Sequence, residues 1–375
     1  MAERATKGLA DIVAASTAIS DIDGRAGVLS YRGYDIHELA GRTTFEEVAH
    51  LLQRGSLPTR DELDRYRAEL AAARTTLGPT VERILPAVAG SSPMEALRTL
   101  VSVLSVDDPD AADSTPAADL RKAARLVGQL PVLVARYHAA RSGRPVPDPD
   151  PDLDLAGNLL FQLTGQRPDR TRTAMLDECL VLYADHTMNA STFTARICAA
   201  TLADLYAAAT AALATLSGPL HGGANEAVMH MLEGIPDVDA VPGDIQARLG
   251  RGEKIMGFGH RVYRTEDPRV THLRAMSGRL AELVGEPRYR ALSARIEQVV
   301  AEVKGLRPNG DFYAASVYHY LGIPTDLFSP VFAVARIAGW TAHAIEQHQD
   351  NRLIRPDSEY VGPKRQYWMP LAERG

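Results

Sequence analysis

The sequence predicts a mainly α-helical fold from three observations. Apolar residues recur three and four apart along nearly the whole chain, as in Phe45, Val48, Ala49, Leu51 and Leu52, which puts them on one face of a helix. Residues that start and stop helices flank such runs, here Thr44 as N-cap and Gly55 as stop. Strand-like patterning is confined to one stretch near the beginning. With 375 residues and 45% hydrophobic content, the chain can bury a large core, and its length allows two or more domains.

In chain order, Met1-Ala2-Glu3-Arg4-Ala5-Thr6-Lys7 lacks the apolar core and cleavage site of a secretory leader, so a cytoplasmic location is expected. Ala18 to Gly33 reads as two short strands around the Asp23-Gly24 turn, a small hairpin. Asp107 to Asp113 and Pro145 to Asp154 are acidic and proline-rich. Their spaced aspartates suggest a calcium loop, but the prolines remove backbone donors, and the glycine and terminal glutamate of an EF-hand are missing. Both are expected to be solvated loops. Ile197 to Leu216, alanine-rich and carrying Asp204, reads as a buried core helix and not as a membrane span. Cys179 and Cys198 lie in apolar helical stretches without Cys-x-x-Cys spacing, as buried free thiols do. His343 and His348, five apart, do not share a helix face and read as core or helix-end residues. The net charge of −6, with 23% charged residues, leaves no basic excess for nucleic acid, so local arginine clusters serve small anions.

Two histidines are held between glycines, His221 in Gly218-Pro219-Leu220-His221-Gly222-Gly223-Ala224-Asn225 and His260 in Gly257-Phe258-Gly259-His260-Arg261. Glycine lets the backbone turn sharply and a ligand approach closely, so such histidines are placed for chemistry more than for packing. The second turn runs on into Arg264 and Arg269. A third, Asn309-Gly310-Asp311, follows Lys304 and Arg307 and presents a carboxylate. The three turns suggest a pocket that moves protons beside anionic groups. Gly257-Phe258-Gly259 is not a dinucleotide fingerprint, because no strand or second glycine pair surrounds it.

Together with Ala184-Asp185-His186-Thr187-Met188-Asn189-Ala190-Ser191-Thr192-Phe193 and Gly339-Trp340-Thr341-Ala342-His343, these segments resemble, in the same order, the citrate synthase family, which includes the 2-methylcitrate synthases. The likeness runs from about Gly8 to Pro363 and is thinnest between about Thr75 and Asp154. It implies a two-domain helical fold, with residues 1–220 and 326–375 in a large domain, 221–325 in a small one and the site in the cleft between them. It also implies a homodimer that condenses acetyl-CoA with oxaloacetate, or propionyl-CoA in the 2-methylcitrate synthases, with no cofactor or metal.

The resemblance makes His221, His260 and Asp311 the catalytic trio. Proton removal beside a thioester needs a carboxylate base, Asp311, and a donor for the enolate oxygen, His221, kept neutral at a glycine-rich helix start. His260 would serve the acceptor carbonyl. By position, His186, Arg269, Arg336 and Arg355 are oxaloacetate ligands, the planar guanidinium matching both carboxylate oxygens; Arg355 corresponds to a residue that reaches the partner subunit's site. Lys254, Ile255, Met256, Gly257 and Phe258 correspond to the adenine loop and Arg264 to a phosphate contact. Lys304 is a further CoA candidate, and Ser191 would orient His221. Gly310 departs from the family pattern, standing where an apolar residue normally precedes the aspartate, and is expected to give Asp311 extra backbone freedom. Ala314-Ala315 likewise replaces a small polar and glycine pair.

Each arginine taken singly also reads as a surface charge. Two other classes stay open. One is a hydrolase binding metal through His186, His221, His260 and Asp311, against which stand the missing His-Glu-x-x-His and arginines that would repel a cation. The other is a silent CoA-binding homologue.

Overall fold

The computed structural model describes residues 7–9 and 12–374; Met1 to Thr6, on which the expectation of no leader largely rests, lies outside them. The fold is mainly α, as the periodicity predicts. A small antiparallel sheet, β1 (Ser20–Asp23), β2 (Val28–Tyr31) and β3 (Tyr34–Asp35), pairs Ser20 with Tyr31 and Asp23 with Val28. The hairpin is present, but its connection is longer than the expected Asp-Gly turn. The Asp23 carboxylate accepts from the N–H groups of Arg25 and Ala26, each at 2.9 Å, and Gly27 takes the left-handed conformation at φ 72°. An aspartate that captures following N–H groups favours such a loop. The third strand pairs too few residues to leave an alternation in the sequence.

The first helices are α1 (Ile36–Leu39), α2 (Phe45–Arg54), α3 (Arg60–Arg74), α4 (Pro79–Val88), α5 (Pro93–Asp107) and α6 (Pro116–Ser142). Thr44 and Glu47 form a capping box on α2, and Gly55 ends it at φ 92°. Next come α7 (Leu155–Thr164), α8 (Arg170–Tyr183), α9 (Ala190–Ala199) and α10 (Leu205–Leu216). After them run α11 (Ala224–Gly234), α12 (Val241–Gly250), α13 (Arg269–Val284), α14 (Arg288–Lys304), α15 (Gly310–Tyr320) and α16 (Phe328–Gln349). Among the described residues, no helix is long and apolar enough to cross a membrane.

Several expectations need correction. Ile197 to Leu216 is not one helix: Leu202 adopts φ 63°, and the Asp204 carboxylate caps α10 by accepting from the Ala207 N–H at 2.9 Å. Capping by aspartate outweighs apolar continuity there. The two acidic stretches are loops without a buried residue, as expected, apart from Asp107, which ends α5; the first is also anchored, because Arg125 grips Asp108 at 2.7 and 2.8 Å and Arg121 grips Asp110 at 2.9 and 2.8 Å. In the second acidic stretch, Asp154 caps α7 and Asp150 pairs with Arg167 at 2.7 Å. Cys179 is buried, whereas Cys198 is only half-buried.

Helix α16 is the axis of the core. It is buried on nearly every face and packs on α2, α6, α8, α9 and α10, as expected of a helix apolar all round. Helices α11 to α15 pack largely on one another, with α15 touching both α11 and α13. At Gly339 the axis closes onto the turn after α8. The Gly339 N–H donates to the Ala184 carbonyl at 3.0 Å, and an added Cβ would lie 2.3 Å from Asp185 Oδ1 and 2.5 Å from the Ala184 oxygen.

Gly339→Ala should therefore lower stability by about 1–3 kcal/mol, the range for overpacking a tight core. Urea unfolding checks this as a lower midpoint at unchanged slope. A midpoint equal to the parent's would mean that Asp185 gives way.

Candidate active site

The turns before α11 and α15, the turn between α8 and α9, the start of α13 and one face of α16 surround a cleft of about 1310 Å³. His186, His221, His260, Arg264, Arg269, Asp311 and Arg336 all line it. The chain reverses at Gly222 because only glycine fits: a Cβ would lie 2.0 Å from the Leu216 carbonyl oxygen.

Hydrogen bonds orient two histidines and bear on their tautomers. The Ser191 N–H donates to His221 Nε2 at 3.3 Å, with the Ser191 hydroxyl 2.8 Å from the same nitrogen. The Ser191 hydroxyl itself donates to Asn189 Oδ1 at 2.8 Å, so the backbone N–H, which can only donate, is the contact that favours Nε2 as acceptor and the ring proton on Nδ1. The Trp340 indole donates to the Ser191 hydroxyl at 3.1 Å and fixes it in turn. In His260, Nδ1 accepts from the N–H groups of Val262 at 3.0 Å and Tyr263 at 3.1 Å, which leaves Nε2–H as the donor. Burial, followed by Arg336, holds the His221 pKa down to about 4; burial, followed by Arg269, does the same for His260. Both rings are neutral donors near pH 7.

Asp311 stands in the first turn of α15. Its N–H donates to the Asn309 side chain at 3.0 Å, and burial raises its carboxyl pKa against the opposing pull of Arg269. The loop that carries His260 is joined to this turn by the backbone. Asn309 N–H donates to the Gly257 carbonyl at 2.9 Å and Gly259 N–H to the Arg307 carbonyl at 3.1 Å. Gly310 does not loosen Asp311 as expected. It is buried, its N–H donates to Asp267 at 3.0 Å, and its carbonyl accepts from the Tyr183 hydroxyl at 2.7 Å.

Two cations and a neutral histidine form the facing side. Arg269 is gripped by Asp267 at 2.9 and 2.6 Å and lies over the Tyr183 ring. Arg336 donates through Nε to the Tyr183 carbonyl at 2.8 Å and sits over Phe332. His186 is buried, packs against His260 with ring centroids 5.2 Å apart, and its Nε2 has no hydrogen-bond partner among the described residues. Burial, then Arg269 and Arg336, pushes its pKa well below the usual histidine range. The set can bind a dianion, take a proton from carbon and stabilise two developing oxyanions.

Other sequence candidates lie elsewhere. Lys254, Ile255, Met256, Gly257, Phe258 and Lys304 are not among the residues lining the cleft. Gly257 closes onto Val228 and Phe312, and Phe258 bridges to Pro308. Arg355 is exposed, paired with Asp357 at 2.9 Å, and not among the residues lining the cleft of its own chain. Among the described residues, no group of three or more His, Cys, Asp or Glu side chains is arranged to hold a metal ion. His343 is a core residue, between Arg196 at 3.0 Å and Asp185 at 3.4 Å, and His348 contacts Asp119 at 2.7 Å. The sequence reading missed Asp267 and Trp340, and also the N-terminal residues Leu9, Ile12 and Val13 that line the cleft. The position of Asp267, two residues before Arg269, was the available signal for the first.

The chain matches the family model described as citrate synthase, C-terminal domain, over residues 8–357. It is 46% identical to citrate synthase 2 of Bacillus subtilis, covering 99% of each chain. It is 39% identical to 2-methylcitrate synthase of Shewanella oneidensis, covering 98% of this chain and 97% of that one. A solved ternary complex of carboxymethyl coenzyme A and oxaloacetate with citrate synthase from Thermoplasma acidophilum superposes with a TM-score of 0.92 at 30% identity, covering 99% and 100% of the two chains.

The two depressed imidazoles set a stability trend. Unfolded histidine takes up protons below about pH 6.5, whereas His221 and His260 in the folded chain do so only near pH 4. Acid thus favours the unfolded state across that window. The urea midpoint should fall as pH drops from about 6.5 to 4, and His221→Gln with His260→Gln should flatten the fall. An unaltered slope in the double variant would contradict the assignment.

Proposed function

The chain belongs to the citrate synthase family, and on that premise we propose that it condenses acetyl-CoA with oxaloacetate and water to give citrate and free coenzyme A. The observation that carries the reading is the convergence on one cleft of a carboxylate and two neutral, hydrogen-bonded imidazoles, among buried arginines. Asp311 takes a proton from the carbon beside the thioester, while His221 Nδ1–H donates to the developing enolate oxygen. The enol carbon attacks the ketone carbon of oxaloacetate, and His260 Nε2–H receives the charge on the carbonyl oxygen. Arg269, Arg336 and His186 hold the carboxylates. Water then attacks the thioester carbonyl, and the coenzyme A thiol leaves.

Propionyl-CoA is the alternative substrate, because relatives named 2-methylcitrate synthase are 39% identical and one methylene is worth only about 1–3 kcal/mol in a pocket. Acetyl-CoA stands first on the 46% identity to a citrate synthase. Coenzyme A enters as a substrate, with Arg264 as its phosphate contact. The readings of Lys254 to Phe258 and Lys304 rest on resemblance alone. Residues 221–325 would close over the remainder as keto acid draws together groups from both sides. A second subunit is supported by the segment after α16, which carries exposed Leu353, Tyr360, Val361, Tyr367, Trp368 and Leu371, more apolar surface than a free chain end ordinarily shows. Arg355 at its start would complete the partner's site.

Thiol release from acetyl-CoA and propionyl-CoA, each with oxaloacetate, tests the reaction. Asp311→Asn should lower turnover about 10²–10⁴-fold while oxaloacetate still binds. Activity close to the parent's would remove Asp311 from the reaction.

Subunit sharing is tested by mixing Arg355→Ala with Asp311→Asn. A heterodimer then holds one site with both residues intact, and random exchange should restore at most about a quarter of parent activity under two-fold symmetry. No recovery after verified exchange would reject the shared site.

A further inference from the structure

We propose that Gly310 is a positioning residue, whose missing side chain lets the Arg269 guanidinium lie against the start of the helix that carries Asp311, tying keto-acid binding to placement of the base. The inference rests on reading Arg269 as an oxaloacetate ligand and Asp311 as the base. A Cβ at Gly310 would fall 3.0 Å from Arg269 Cζ, 3.1 Å from Nη2 and 3.2 Å from Nε. Such a contact is harmless when a flexible side chain can swing away. Arg269 has little freedom to do so, since both Asp267 oxygens hold it at 2.9 and 2.6 Å, and Tyr183 lies beneath it.

The contact is more than packing. Asp267 Oδ2 accepts from both Arg269 Nη2 and the Gly310 N–H, so one oxygen connects the cation to the first residue of α15. The Tyr183 hydroxyl holds the other side of the same residue through the Gly310 carbonyl. A keto-acid carboxylate that pulls on Arg269 therefore pulls, through Asp267, on the residue next to Asp311. Gly310 needs no left-handed backbone, and alanine is the better helix former. On backbone grounds alone Gly310→Ala would stabilise, so any loss must come from the side-chain contact.

The test is a double-mutant cycle of Gly310→Ala and Arg269→Lys, which removes the guanidinium. It reads oxaloacetate affinity by calorimetry, together with kcat, KM and the acid limb of the rate profile. In the parent background, Gly310→Ala should weaken oxaloacetate roughly tenfold and shift the acid limb, while adding less than about twofold in the Arg269→Lys background. Equal losses in both backgrounds, or none in either, would overturn the proposal. If Gly310→Ala fails to fold alone, folding of the double variant supports the contact and failure of both overturns it. A parent that binds no oxaloacetate undoes the reading of Arg269, and this proposal with it; a parent that binds but releases no thiol fails the reaction alone.

Discussion

The Arg269 guanidinium is buried in the wall that carries Asp311, and a charge taken out of water costs several kcal/mol unless it is paired and hydrogen-bonded. Asp267 meets that need with both oxygens. To reach Arg269, the loop bearing Asp267 must end at the first turn of α13, which fixes its lower end. Its upper end is fixed by the exchange of backbone hydrogen bonds between Gly257, Gly259, Arg307 and Asn309. His260 lies on this doubly anchored loop, so its place follows from pairing a cation several residues away.

Tyr183 performs the corresponding task on the α8 side. Its carbonyl accepts from Arg336, its ring lies under Arg269 and its hydroxyl donates to Gly310. Three cleft elements are thus referred to the end of one core helix. The next turn keeps Thr187 at φ 48°, a conformation that costs about 1 kcal/mol or more for such a residue. A buried network holds it: Asp185 accepts from the Thr187 N–H at 3.0 Å and meets His343, which meets Arg196. His186 points into the cleft from that turn.

Much of this was legible in the sequence. Helical periodicity gave the class of fold, and glycines beside His221 and His260 marked positions where a side chain would collide or the backbone must turn. The sequence did not show which partners meet. Nothing local brings Trp340 to Ser191 or Tyr183 to Gly310, because those pairs are 149 and 127 residues apart and form only when α16 and α15 pack. The break before Asp204 was missed for the opposite reason, because alanine-rich apolarity is a strong local signal overridden by one cap; the Asp-Pro run did announce a loop, but not the two arginines that anchor it. Gly310 was read as slack, since backbone freedom is a local property and the two hydrogen bonds that remove it are not.

The chemistry asks opposite things of neighbouring groups, neutral imidazoles to donate and an ionised carboxylate to accept, in a cleft where burial disfavours every charge. Burial alone would lower the histidine pKa values, as required, and raise that of Asp311, which is not. Arg269 and Arg336 ease the conflict without removing it, because a positive potential lowers the pKa of any nearby group, whatever its type, while that of Asp311 stays raised. Arg336 helps keep His221 neutral and opposes the rise at Asp311; Arg269 acts likewise on His260 and Asp311. Guanidinium suits this task because it does not itself give up its proton. Under the proposed reaction, the same two residues that would hold the carboxylates of oxaloacetate also bias, after burial, the protonation of the base and both donors.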